Sequence, residues 1–169
     1  MINELKVSII TAVYNRSETI ASAIKSVQIQ EYPNISHVIV DGGSTDGTME
    51  RIKELQSANQ IVNSEPDEGI YDALNKGIKL ADGDIVGLVH SDDFFSDELV
   101  ISDVLAVFSD PKVQLVYGDL VYVDESTVTK VIRRWVAGSF HARKLRMGWM
   151  PPHPTVFVRK SVFDQFGMY

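Results

Sequence analysis

Ile85-Val86-Gly87-Leu88-Val89-His90-Ser91-Asp92-Asp93 is the stretch on which the reading of this chain turns. Its first half is an almost unbroken apolar run, rich in β-branched residues and too short for a helix, as expected of a strand buried on both faces. Asp82-Gly83-Asp84 in front of it is a turn. Behind it stand two adjacent carboxylates, Asp92 and Asp93, at what is then the carboxyl end of a strand. Open α/β sheets bind their ligands at that end. Neighbouring aspartates repel unless a cation or hydrogen-bond donors compensate. Carboxylates acting with substrate phosphates are the usual seat of a magnesium-type ion. Ser91 to Asp93 also suit a plain turn before a helix near Ser96. On this stretch alone both readings stand.

Upstream of it, Ile70, Leu74, Ile78 and Ala81 fall at helical spacing, and the Glu65-Pro66-Asp67-Glu68-Gly69 loop precedes them. Gln60 to Asn63 is a weaker strand, and a helix carrying Ile52 and Leu55 comes before that. The glycine-rich turn Gly42-Gly43-Ser44-Thr45-Asp46-Gly47-Thr48 leads into that helix from a short strand, His37 to Val40, which ends in Asp41. The chain opens with the strand Lys6 to Val13 and the polar break Tyr14-Asn15-Arg16-Ser17. A helix from Glu18 to Gln30 follows, with Ile20, Ile24 and Val27 on one stripe. Downstream of the opening stretch, a helix runs from Asp97 to Phe108, Asp110-Pro111 stops it, and Val113 to Tyr117 is a fifth strand.

Strands alternating with helices predict an α/β domain with a mainly parallel sheet flanked by helices on both faces. The pattern then changes. Leu120 to Val123 and Val128 to Val136 flank Asp124-Glu125-Ser126-Thr127, which predicts a hairpin and an antiparallel addition to the sheet. Ser139 to Gly148 carries His141, Arg143, Lys144 and Arg146, a basic patch that also suits an ordinary solvated surface. Met150-Pro151-Pro152-His153-Pro154 is a rigid, extended connection. Thr155 to Val158 is a last strand, and a helix begins at Ser161.

At 169 residues the chain is expected to be a single domain. Its net charge of −7 argues against a nucleic-acid polymer as partner, because such binding needs a basic face. With no cysteine, disulfide and thiolate chemistry are excluded. No apolar run approaches the ~20 residues of a membrane span and the N-terminus has no signal-peptide pattern, so a cytoplasmic location is expected.

Neither G-x-G-x-x-G nor G-x-x-x-x-G-K-[ST] is present, which removes the dinucleotide fold and the phosphate-loop fold. A nucleotidyltransferase should carry a glycine-rich, basic loop after its first strand, and Val13-Tyr14-Asn15-Arg16-Ser17 is a poor match. Three strand ends remain, bearing an aromatic (Tyr14), a single acid (Asp41) and an acid pair (Asp92-Asp93). That set suits a sugar nucleotide: a ring to flank the base, a carboxylate for a base N–H or ribose hydroxyl, and a metal ion on the pair to meet the diphosphate.

Four segments carry a resemblance over essentially the whole chain. They are Val7 to Asn15, Val40-Asp41-Gly42-Gly43-Ser44-Thr45-Asp46-Gly47-Thr48, Asp67-Glu68-Gly69-Ile70-Tyr71-Asp72-Ala73-Leu74-Asn75-Lys76-Gly77, and Ser91-Asp92-Asp93. Together, in this order and spacing, they resemble the family 2 glycosyltransferases of GT-A fold. Pro152 to Arg159 is similar to a segment of the branch that builds bacterial surface polysaccharides.

The resemblance implies an inverting, metal-dependent transferase that moves a sugar from a nucleotide-sugar donor to a glycan or lipid-linked sugar acceptor. It implies that Thr11, Ala12, Val13, Tyr14 and Asp41 hold the base and ribose. Asp93, last acid of a D-x-D-like motif, would ligate manganese or magnesium (Mn2+ or Mg2+), with Asp92 toward ribose or metal. His90 and Ser91 stand where many relatives have an acid; His90 reads as a core histidine. Asp46, Asp72 and Asn75 match motifs but read as turn, helix cap and buried hydrogen bond. Residues 1–118 would form the donor half of the single 1–169 domain, and residues 119–169 the start of the acceptor half. In the family the general base is an acid in a later motif, past a segment like Phe166-Gly167-Met168-Tyr169, so the base is expected beyond Tyr169. A truncated, non-catalytic nucleotide-sugar-binding module is the rival expectation. The cytoplasmic expectation extends to the inner face of the membrane, with peripheral association of the full-length protein.

Overall fold

The computed structural model describes residues 5–124 and 127–169. Three strands form its centre, β1 (Val7–Val13), β2 (Ile35–Asp41) and β4 (Ile85–Leu88), and every residue in them is buried. β1 lies between the other two, parallel to both, and β3 (Gln60–Ser64) adds in parallel outside β2. Parallel strands need helical crossovers, which cover both faces of the sheet. α1 (Ile20–Gln28), α2 (Thr48–Glu54) and α4 (Val100–Phe108) bury Ile24, Ile52 and Leu105 against Ile9, Ile39 and Ile85 on one face. α3 (Ile70–Leu80) buries Ala73, Leu74 and Ile78 against Ile10, Val38 and Val86 on the other. Odd-numbered β1 residues thus face one layer and even-numbered ones the other. This two-sided burial is why the strands read as continuous apolar runs.

The far half departs from the sequence reading in a specific way. The antiparallel member of the main sheet is β8 (Phe157–Arg159), which inserts between β4 and β5 (Leu115–Val116) and pairs antiparallel with both. The hairpin β6 (Leu120–Val123) and β7 (Val131–Trp135) is no addition to that sheet but a separate two-stranded one. Two residues expected in its turn, Glu125 and Ser126, lie outside the described residues. β5 is shorter than expected because the Val113 carbonyl is taken by the Arg159 side chain, Nε at 2.7 Å, instead of by a backbone N–H of β8. α4 starts later than Asp97 because Asp97 caps the Leu99 N–H at 2.9 Å, while buried Gln30 takes that of Ile101 at 3.0 Å. The chain ends in α5 (Ala142–Arg146), a 3-10 turn (His153–Thr155) and α6 (Lys160–Phe166).

The insertion of β8 depends on one glycine. A Cβ at Gly87 in β4 would stand 2.4 Å from Cε1 of Phe157, a core ring only 3% exposed, and 3.1 Å from Ile9 Cδ1. Gly87→Ala is therefore expected to cost about 1–3 kcal/mol, as overpacking does in a filled core. A lower urea midpoint at unchanged m-value checks this; an unchanged midpoint would mean that Phe157 has room to move.

Candidate functional site

The carboxyl ends of β2, β1 and β4, neighbours in that order, place the loops 42–48, 14–17 and 89–93 side by side. The first two loops are sewn into one rim. Val13, at the end of β1, accepts the Gly42 N–H at 2.9 Å. Asn15 adopts φ +49°, the left-handed region that asparagine tolerates better than most residues. In that conformation its N–H donates to Ser44 Oγ at 2.8 Å and its Oδ1 accepts the Thr45 N–H at 2.9 Å. Asp46 accepts the Ser17 N–H at 3.1 Å, the Thr48 N–H at 3.0 Å and the Thr48 hydroxyl. The Thr48 hydroxyl leads these in pulling the Asp46 carboxyl down to about 2. Asp46 is thus a turn residue, as its sequence context suggests.

Tyr14 projects from this rim and is 60% exposed. Thr11, Ala12 and Val13 lie beneath it, all buried. The Thr11 hydroxyl is turned into the interior, 2.9 Å from His37 Nε2, so Thr11 presents no side-chain group to a ligand. Asp41 differs from expectation in the same sense. It has no exposed surface, and its carboxylate already accepts the N–H groups of Gly43 and Ser44, each at 3.1 Å, and the Ser64 hydroxyl at 2.7 Å. Gly43 closes this turn at φ +85°, where a side chain is strained. In this structure Asp41 clamps the 42–44 turn.

At the end of β4 the Asp93 N–H donates to the His90 carbonyl at 3.0 Å, so residues 90–93 do form a turn. The turn leaves Asp92 exposed and Asp93 half-buried. No donor or cation among the described residues meets the Asp93 carboxylate. Burial first, and the charge of Asp92 second, push its pKa up to about 6. A half-buried carboxylate facing a like charge is a site in want of a cation. His90 is not a fully buried core histidine. Its ring stacks on His153 with centroids 6.1 Å apart, its Nδ1 is buried without a partner, and burial lowers its pKa. The fully buried histidine is His37.

His153, Tyr71 and Tyr169 were not singled out by sequence reasoning, yet they stand at the same rim. His153 Nε2 lies 3.1 Å from the Tyr169 hydroxyl, and the Tyr71 and Tyr169 rings are 5.8 Å apart. The Pro-His-Pro setting of His153 was the available signal. Asn75, expected to make a buried hydrogen bond, holds the far end of the chain instead: its side chain bonds both the N–H and the carbonyl of Tyr169 at 3.0 and 2.8 Å. Asp72 accepts the Glu68 N–H at 3.1 Å at the start of α3, a capping role, and pairs with Lys76 at 3.1 Å. Two surface hollows of about 420 and 380 Å³ lie at the opposite, amino end of the strands, beside Asp84 and Ile35 respectively. They gather none of these groups.

The donor set limits the metal it fits. Among the described residues no three His, Asp or Glu side chains gather as a cage. Asp93, alone or with Asp92, suits a hard ion that completes its shell with phosphate oxygens and water, the habit of magnesium-type ions.

The family model described as glycosyl transferase family 2 matches residues 8–165. An uncharacterized glycosyltransferase of Mycobacterium tuberculosis, Rv1514c, is 36% identical over 104 residues, covering 61% of this chain and 40% of that protein. A PGL/p-HBAD biosynthesis glycosyltransferase of Mycobacterium bovis is 29% identical over 167 residues, covering 96% of this chain and 62% of its own length. The chain thus spans less than two thirds of the length of these curated relatives. Among solved structures, the mannosyltransferase PcManGT of Pyrobaculum calidifontis, in complex with GDP-Man and Mn2+, superposes with a TM-score of 0.75 at 18% identity. That match covers 98% of this chain and 47% of the other. TarS 1-349 of S. aureus, in complex with UDP-GlcNAc, gives 0.74 at 20% identity, over 95% of this chain and 47% of the other. At these identities the likeness shows the fold, and the fold is GT-A.

Proposed function

The chain belongs to glycosyl transferase family 2, and from that premise we propose that it forms the nucleotide-sugar-binding part of an inverting, metal-dependent glycosyltransferase of cell-surface glycan synthesis. The observation that carries this reading is the convergence of Tyr14, the Asp41-clamped turn and Asp92-Asp93 on three adjacent strand ends. The nucleotide complexes of PcManGT and TarS, whose fold this chain shares, support a nucleotide-sugar donor. Residues 1–118 are the proposed donor half, and residues 119–169 begin the acceptor half.

In this reading Tyr14 flanks the base and Thr11, Ala12 and Val13 form the floor beneath it through their backbone. Asp41 serves the nucleotide as a positioning residue, by fixing the Gly42–Ser44 turn. Asp93 holds the metal ion, and Asp92 faces ribose or metal. A manganese or magnesium ion there supplies neutralisation of the charge that grows on the departing diphosphate. The acceptor hydroxyl oxygen bonds to the anomeric carbon as the bond to the diphosphate breaks, and the hydroxyl proton passes to a base. Asp92 and Asp93 are committed to the donor side, and Asp119 is occupied by the Ala137 N–H at 2.9 Å. The base is proposed to be an acid other than these. The chain spans 40% of one curated relative and 62% of another, which supports a second reading, in which residues 1–169 alone bind donor without transferring sugar.

A crystal soaked with UDP or GDP and Mn2+ tests the assignment. The nucleotide is expected at the ends of β1 and β2, and density anywhere else refutes it. Asp41→Asn, which turns an amide toward the Gly43 and Ser44 N–H groups, is expected to weaken nucleotide by about 1–3 kcal/mol. Its dependence on metal should stay intact. A loss of metal dependence in this variant would place Asp41 in the metal shell instead.

A further inference from the structure

The charge of the chain is segregated. Between Thr127 and Val158 the sequence has Lys130, Arg133, Arg134, Arg143, Lys144 and Arg146 and no Asp or Glu, in a protein whose net charge is −7. None of these six cations pairs with a carboxylate among the described residues. Arg133 lies over the Tyr122 ring, and Lys144 over Trp149 while bonding the Ser139 carbonyl at 2.9 Å. Apolar side chains stand out among them. Met147 is 86% exposed, Val136 70%, Met150 66%, Ile132 65% and Phe140 60%.

This surface is built rather than loose. Trp149 anchors it: its Nε1 donates to the Ala137 carbonyl at 3.2 Å, and Phe140 and Tyr117 pack edge-on against its ring. Tyr117 fixes the Gly138 carbonyl at 2.9 Å. Every residue from Gly138 to Gly148 is nevertheless exposed, although apolar ones recur through it. Contiguous exposed apolar groups among cations mark an interaction surface.

We propose that this face, residues 130–150, docks the protein on an anionic phospholipid bilayer. The cations meet lipid phosphates, while Met147, Met150 and Phe140 enter the headgroup boundary, the combination by which peripheral surfaces bind. Charge decides against the other occupants. A second copy seated symmetrically would set these cations against themselves. A nucleic acid would leave the projecting methionines unused and meet the acidic remainder of the molecule. Among the described residues no helix is long and apolar enough to cross a membrane, so the contact is adsorption. Met150 lies three residues before His153 at the donor rim, so docking brings that rim to the lipid surface. The inference gives the expected peripheral association a definite face and lipid charge, and it rests on the charge and exposure of residues 130–150 rather than on the transferase reading.

Vesicle co-sedimentation of the 169-residue chain tests it. Binding is expected to mixed phosphatidylglycerol–phosphatidylcholine vesicles and not to phosphatidylcholine alone, and about 0.5 M sodium chloride should release it. The double variant R143E/R146E should lower partitioning at least about tenfold. Met147→Ser, which leaves charge unchanged, should lower it about threefold or more. All three side chains are exposed, so unchanged circular dichroism is expected of both variants. No binding to anionic vesicles, or equal binding to neutral ones, overturns the proposal. So does a dimer in light scattering that Met147→Ser dissolves, or tighter binding to poly(U) RNA than to vesicles.

Discussion

Asp93→Asn is expected to make the metal-free protein more stable and to abolish its metal-dependent binding of nucleoside diphosphate. The two effects have one cause. With no metal bound, the Asp93 carboxylate is half-buried, faces Asp92 and meets no donor, so its pKa is raised to about 6. A carboxyl whose folded pKa lies above its unfolded value opposes folding when ionised. That cost grows as pH rises from the unfolded value of 3.8 to about 6 and is fully present at neutral pH. Asparagine removes the charge and keeps the shape. After allowance for solvent screening the gain is about 1 kcal/mol, or roughly 2–4 °C in melting temperature for a chain of this size. The same change removes the carboxylate proposed to hold the ion, and nucleotide affinity in Mn2+ should fall about 100-fold or more, as expected when the charged ligand of a hard cation is lost. Thermal denaturation in EDTA and calorimetry in Mn2+ read the two effects separately. A variant that is destabilised without metal would mean that Asp93 is a structural turn residue.

The second large effect belongs to His37. The ring is buried, 2.9 Å from the Thr11 hydroxyl, and burial pushes its pKa down to about 3 from the ordinary 6.5. The folded protein therefore keeps this imidazole neutral where the unfolded chain protonates it. Stability that depends on neutrality is complete above about pH 6.5 and is lost as pH falls from there toward 3, by up to about 1.4 kcal/mol per pH unit. Asp93 titrates in the opposite sense between 3.8 and about 6, so the two partly cancel in the wild-type chain. Comparing urea midpoints of wild type and His37→Gln at pH 7 and at about pH 4.5 isolates the histidine, since Asp93 is common to both. Glutamine retains a partner for Thr11. The variant is expected to lose about 2–3 kcal/mol less than wild type on acidification, from the same linkage. Equal losses would show that the ring is hydrated enough to take its proton in the fold.

These two residues mark how far the sequence could be read. Burial on both faces makes β1, β2 and β4 continuous apolar runs, and α3 repeats at helical spacing, so the parallel centre and its helices were legible from local pattern. The acid pair at the end of β4 was legible too, because a strand end needs no knowledge of its neighbours. What lay outside local pattern was pairing across distance. Nothing in Phe157-Val158-Arg159 says that it inserts between β4 and β5, because the reason is the space left by Gly87, some seventy residues earlier. Nothing in the hairpin's alternation says that it stands apart from the main sheet. Asp41 shows the same limit at the site: its position at a strand end was readable. Its enclosure by Gly43, Ser44 and Ser64 was not, since Ser64 comes from a different strand. His153 reaches His90 only through the same β8 insertion.

The central claim, that Asp93 and its neighbours bind a nucleoside diphosphate through a divalent ion, is tested most directly by isothermal titration of UDP and GDP into the 169-residue chain. The titration is run in Mn2+, then in EDTA, then with Mn2+ restored in excess. The account predicts binding with the ion, its disappearance in EDTA and its full return; equal binding of the nucleotide in EDTA would contradict it.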